Sequence, residues 1–187
     1  MTARIVLIRH GRSSHEHTGW VDRDAFLRWR NAYEAAGIRS DDVPPAPLRA
    51  LTDASAIVVA SDARRAIESA AALAPHREVV TSPLLRELDL DPPNVRLRLP
   101  LIAWALLYGV RWIVRAVQRQ PQLSDAEQAR IRAAADWIEQ LAATHGSVAA
   151  VTHASFRRQL ARELASRGFH IDAAPRASHW SAWVLSR

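Results

Sequence analysis

The chain has 187 residues, of which 49% are apolar and 24% charged, enough to bury a core and at odds with disorder. There is no Cys, which excludes disulfides, thiolate nucleophiles and Cys-ligated metals. The net charge of +6 comes from 25 basic residues, all Arg and interspersed with acids, a pattern that suits capture of small anions better than binding of nucleic acid.

Residues 4–9 predict a short buried strand, because Ile5 to Ile8 form an unbroken apolar run. That run stops at Arg9 and is too short for a signal peptide. Together with the lack of Cys, this gives a cytoplasmic location as the expectation. A polar loop follows from His10 to Gly19. Residues 24–36 predict a helix, with Ala25, Phe26, Trp29, Ala32, Tyr33 and Ala36 at helical spacing, Asp24 as cap and Gly37 as stop. Residues 40–47, with two Asp and three Pro, read as a loop. A second buried strand is predicted over 56–60, and Ser61 and Asp62 then open a helix through about Leu73. A third strand is predicted over 78–81. Ser124 with Glu127 forms a capping box that starts a helix over 124–143. A fourth strand covers 147–152, a helix runs from about Ala154 to Arg167, and a last strand covers 181–185. This alternation predicts an α/β three-layer sandwich, a mostly parallel central sheet flanked by helices. In such sheets ligands sit beyond the carboxyl ends of the strands.

The chemistry-bearing residues fall at those ends. Arg9-His10-Gly11 follows the first strand and offers a nucleophilic imidazole, a cation and a glycine that permits close backbone approach. Arg64 and Arg65 fall in the first turn of the helix after the second strand. A cation is unfavourable at that end of the helix dipole unless an anion binds there. Thr152-His153 ends the fourth strand, and Glu87, just past the third, has the chemistry of a general acid.

Arg9-His10-Gly11, Ser61 through Arg65-Ala66, Leu85-Arg86-Glu87 and Thr152-His153, in that order, resemble the histidine phosphatase (phosphoglycerate mutase-like) superfamily over residues 4 to about 165. The resemblance is to the broad-specificity phosphatases rather than the true mutases, which are longer. It implies one histidine phosphatase domain over 1–187, with a phosphoglycerate mutase-like fold. It also implies a metal-independent phosphomonoesterase, without cofactor, acting on a small phosphorylated substrate. His10 would carry the phosphoryl group. Arg9, Arg65 and His153 would surround its oxygens, and Gly11, Ser13 and Ala154 would complete the phosphate site. Arg65 is chosen over Arg64 because the family's Arg directly precedes Ala. Glu87 would protonate the departing oxygen. The sequence departs from the pattern at Glu16, where Asn is common, at Ala154-Ser155, where Gly is common, and over 88–93, where glycines are common. Glu16, Asp89 and Asp91 are therefore rival acids. A mutase-type phosphotransferase, a phosphoprotein or phosphohistidine phosphatase, and a phosphate-binding module without turnover are the alternatives.

An apolar, Trp- and Arg-rich insertion at about 95–120 lies outside the resemblance. Trp104, Tyr108 and Trp112 recur at helical spacing, and Arg111, Arg115 and Arg119 crowd the far end. Its uncharged part, Leu99 to Val110, is shorter than the ~20 residues that span a bilayer. The segment suits a helix packed on the core or across a homodimer, a lid over the substrate, or, least, a helix resting on a membrane surface.

Overall fold

The computed structural model describes residues 3–187 except 16–18, 90–93, 95–96, 105, 108–109, 111–113, 115–122 and 175–177. Strands β1 (Arg4–Arg9), β3 (Ile57–Ser61), β4 (Val79–Ser82), β6 (Ser147–Thr152), β7 (His170–Ala173) and β8 (Ala182–Ser186) form one sheet. Their order is β4-β3-β6-β1-β8-β7. The pairs β3–β4, β3–β6 and β1–β6 are parallel, and β8 runs antiparallel to both β1 and β7. The sheet is thus α/β and mostly parallel, as expected. A separate two-stranded ribbon joins β2 (Trp20–Val21) to β5 (Leu99–Pro100).

Helices cover both faces, which is why the central strands are apolar at nearly every position. Side chains alternate along each strand. Val6, Ile8, Val58, Ala60, Ala149 and Val151 therefore pack with Leu48 of α2 (Ala46–Asp53) and with Ala66, Ala70 and Leu73 of α3 (Arg64–Leu73). Ile5, Leu7, Val59, Val148 and Ala150 face the other way. They pack with Ala134 and Ile138 of α4 (Asp125–His145) and with Phe156 and Leu160 of α5 (Ala154–Ser166).

Several local expectations change. Helix α1 spans Arg23–Ala35, and its cap is Asp22, whose side chain accepts from Ala25 N, rather than Asp24. Both aspartates suit a first turn, and the earlier one takes the cap. The helix stops before Gly37, which serves packing instead. A Cβ at Gly37 would lie 2.1 Å from the Glu68 carboxylate that accepts from Ile38 N. Helix α2 begins inside the expected 40–47 loop, with Pro45 at its N-cap and Pro47 in its first turn, where a missing N–H costs nothing. Neither Ser61 nor Asp62 caps α3; Ala63 holds that place and Ser61 is the last residue of β3. Ser124 does cap α4, accepting from Glu127 N, while the Glu127 carboxylate turns to Arg130.

In the 95–120 segment, residues 101–104, 106–107, 110 and 114 are helical. Trp104 is fully buried, stacks on Phe26 of α1 at 4.8 Å and donates its indole N–H to Val21 O at 3.2 Å. Ile102, Leu106, Val110 and Val114 are exposed. Tyr108, Trp112, Arg111, Arg115 and Arg119 lie outside the described residues. No helix among the described residues is long and apolar enough to cross a membrane.

Candidate active site

The carboxyl ends of β1, β3 and β6 lie side by side, and they bring His10, Ser61 and His153 together. His10 is buried, and its backbone N–H donates to Thr152 O at 3.0 Å, extending the β1–β6 ladder by one residue. Its Nδ1–H donates to Gly11 O at 2.6 Å. That bond assigns the tautomer and leaves Nε2 without a proton, facing the Nε–H of Arg65 at 3.3 Å. Burial, then the charges of Arg65, Arg9 and His179, push the His10 pKa from 6.5 down to about 3. The ring is therefore neutral at ordinary pH, as a nucleophile must be.

Arg65 lies in the first turn of α3 and has no solvent exposure. One terminal nitrogen lies 3.1 Å from His153 Nδ1 and within 3.1–3.2 Å of both Glu34 carboxylate oxygens. The other donates to the carbonyls of Tyr33 and Glu34 at 3.3 and 3.4 Å, and the guanidinium stacks on the Tyr33 ring. Since Arg65 donates to Nδ1 of His153, the neutral His153 carries its proton on Nε2, 3.0 Å from Ser61 Oγ. Burial, followed by the neighbouring His10 and Arg65, holds His153 well below the usual histidine range. The His10 and His153 rings meet edge to face, 5.0 Å apart.

Glu87 lies against the N-terminus of α5. Its carboxylate accepts from Phe156 N at 2.8 Å, Ser155 N at 3.2 Å and its own neighbour Leu88 N at 3.0 Å. Those amides have no partner inside the helix, so Glu87 caps α5 from another segment. Burial nevertheless raises its pKa above the usual carboxylate range, against the pull of those amides and of Arg65. A carboxyl so placed holds a proton to higher pH than a free one, as a general acid should. Asp89 is exposed and lies 3.6 Å from Arg30. Glu16 and Asp91 lie outside the described residues. Ala154 opens α5 beside Glu87. Ser13 bridges to Ile38, and its hydroxyl accepts from His15 N.

Four site residues escaped the sequence reading. His179 lies 3.1 Å from a terminal nitrogen of Arg9, with its ring 5.7 Å from that of His10. Trp180, which follows it, has a φ of +55°, an uncommon conformation for a bulky residue. Its ring lies on Gly11, and its indole N–H donates to Asp42 at 2.7 Å. Glu34 is the fourth. The Gly11 amide donates to Ser69 Oγ at 2.9 Å. A Cβ on Gly11 would come within 2.3 Å of the Trp180 ring, so Gly11→Ala forces the loop that carries His10 away from Trp180. We expect a loss of about 1–3 kcal/mol in thermal unfolding, typical of an overpacked site.

The profile of the histidine phosphatase superfamily (branch 1) matches residues 5–182. The chain belongs to that superfamily. No curated protein matches the sequence at a significant level. Solved structures of the superfamily's fold superpose along the whole chain. A phosphoglycerate mutase from Bacillus anthracis is 18% identical with a TM-score of 0.59, covering 100% of this chain and 88% of its own. A mycobacterial glucosyl-3-phosphoglycerate phosphatase is 16% identical with a TM-score of 0.57, covering 100% and 91%. A phosphoserine phosphatase variant from Entamoeba histolytica, solved with phosphoserine, is 12% identical with a TM-score of 0.55, covering 97% and 89%. These likenesses bear out the phosphoglycerate mutase-like architecture. At such identities they speak for the fold alone.

Proposed function

We propose that this superfamily member is a phosphomonoesterase that works through a phosphohistidine on His10 and uses no metal ion. The observation that carries the reading is the His10 tautomer, with its proton held by Gly11 O and a bare Nε2 directed at Arg65. In the first half-reaction Nε2 attacks phosphorus, the P–O ester bond breaks, and Glu87 gives its proton to the departing oxygen. In the second, Glu87 takes a proton from water, whose oxygen attacks phosphorus and breaks the P–N bond. Arg9, Arg65 and His153 supply the hydrogen bonds and charge that stabilise the phosphoryl oxygens in both steps, the term that dominates phosphoryl transfer. The names of the phosphoserine and glucosyl-3-phosphoglycerate phosphatases support a small organic phosphate as substrate.

Rapid acid-free quenching of a reaction with a 32P-labelled aryl phosphate in excess EDTA tests the reading. An acid-labile label on His10, with turnover intact under chelation, is the expected result. A label on another residue, or activity lost to EDTA and restored by metal, overturns it.

The acid role carries its own expected result. Glu87→Gln slows hydrolysis of an alkyl phosphate by about 10²–10⁴-fold, the usual worth of a positioned acid. The loss is much smaller for 4-nitrophenyl phosphate, whose leaving group departs without a proton. Equal losses on both esters would assign Glu87 to structure, as the cap of α5.

A further inference from the structure

Arg157 is a buried charge that the proposed chemistry does not use. It lies in the first turn of α5, on the buried face with Phe156, Leu160, Ala161 and Leu164, and has no solvent exposure. The helix dipole opposes a cation at that end, and burial without a counter-charge opposes it further. No carboxylate pairs with Arg157 among the described residues, and its Nε and one terminal nitrogen meet no acceptor there. Burial, then the charges of Arg9 and Arg158, lower its pKa to about 10, so the guanidinium stays charged at neutral pH. An apolar side chain of similar size would fill the same place with less opposition.

What Arg157 does make is a clamp. Its other terminal nitrogen donates to Ser181 O at 2.5 Å and to Ser181 Oγ at 3.0 Å, with the guanidinium over the Trp183 ring at 5.1 Å. The same Ser181 carbonyl accepts from Arg9 N at 3.0 Å, and the Ser181 hydroxyl donates to Ser178 O at 2.6 Å. Residues 178–181 are thereby closed into a turn and held between α5 and the end of β1. That turn keeps Trp180 at a φ of +55°, a conformation that persists only where the surroundings enforce it. It also sets His179 3.1 Å from a terminal nitrogen of Arg9.

We propose that Arg157 is a positioning residue for the phosphoryl site: by clamping Ser181 it fixes the turn that presents His179 to Arg9, and so fixes the direction of the Arg9 guanidinium. The inference rests on the phosphomonoesterase reading above and extends its machinery to a side chain that substrate does not touch. One nitrogen of Arg157 makes both hydrogen bonds, so a lysine ammonium can take its place, whereas Arg65 uses all three of its nitrogens.

The test is a double-mutant cycle on kcat/KM for 4-nitrophenyl phosphate, with thermal unfolding of each variant beside it to show that it is folded. Arg157→Met should lower kcat/KM by about 10- to 100-fold, the scale of a misplaced catalytic group. His179→Ala should also be slow, yet cost no more than about twofold further when added to Arg157→Met, because both break one link. Arg157→Lys should restore most of the activity. Losses that multiply in the double variant, a fully active Arg157→Met or His179→Ala, or a lysine variant as slow as the methionine one, overturn the inference and leave the phosphatase reading in place. Should Arg157→Met fail to fold, Ser181→Ala, which opens the turn at the hydroxyl, replaces it in the cycle: the same coupling to His179→Ala is expected, and multiplying losses or full activity overturn the inference. Hydrolysis absent from folded wild type overturns the phosphatase reading, and the inference falls with it.

Discussion

Replacing His10 with alanine should lower hydrolysis of 4-nitrophenyl phosphate by at least about 10⁴-fold, the scale on which removal of a covalent nucleophile is felt. No neighbouring group can take over. His153 carries its proton on Nε2 beside Ser61, and its one lone pair, on Nδ1, is held by Arg65 at 3.1 Å, closer than the 3.3 Å at His10 Nε2. The same environment makes a statement about pH. With its pKa pushed down to about 3, His10 stays unprotonated through the mildly acidic range. Burial holds Glu87 above the usual carboxylate range, so it keeps its proton to higher pH than a free carboxyl does. Wild-type kcat/KM should therefore be retained at pH 5, once the substrate's own ionisation is allowed for. It should fall as pH rises through the Glu87 value and the acid is lost. A fall on acidification centred near 6.5, the ordinary histidine value, would contradict the geometry around His10.

The second large effect is expected at Arg65. Arg65→Ala removes the cation that links His10, His153, Tyr33 and Glu34, and kcat/KM should drop by about 10²–10³-fold or more, as when a preorganised donor is removed from a developing charge. Arg65→Lys should recover little. The guanidinium sends Nε to His10, one terminal nitrogen to His153 and Glu34, and the other to two backbone carbonyls. A single ammonium cannot meet three fixed directions from one position. Steady-state assays of both variants beside wild type decide the point, and a lysine variant near wild-type activity would reduce Arg65 to a simple counter-charge. On the proposed function, an arriving phosphate competes with the Glu34 carboxylate for that terminal nitrogen.

The strand ends that carry the candidate site were legible because the buried strands are. Ile5–Ile8, Val58–Ala60 and Val148–Val151 are apolar without alternation, which only a doubly covered sheet explains, and the polar residues that follow must lie at its carboxyl edge. His179 was illegible for the complementary reason. It belongs to the site because β8 runs antiparallel beside β1, with Ala182 opposite Ile8, so the residues before β8 arrive where β1 ends. Strand order is a property of the whole chain and leaves no mark on Ser178-His179-Trp180. Strand β7, His170-Ile171-Asp172-Ala173, alternates for only four residues and is exposed along its length at the sheet edge, and β2 and β5 are two residues each. Glu34 lies on an exposed face of α1, where a carboxylate is ordinary, and only the packing of α1 on Arg65 gives it meaning.

The position of β1 also bears on the order in which the protein is made. Its two sheet partners are β6 and β8, residues 147–152 and 182–186. During synthesis the strand that carries His10 emerges before either partner and waits, apolar and unpaired, until some 140 residues more have been translated, on the order of ten seconds or longer at typical ribosomal rates. Only when β8 slots in do His179 and Trp180 close around the His10 loop. A chain without β8 would hold most of the helices and an unfinished candidate site. In that interval the strand is a natural client for chaperones that bind short extended apolar segments.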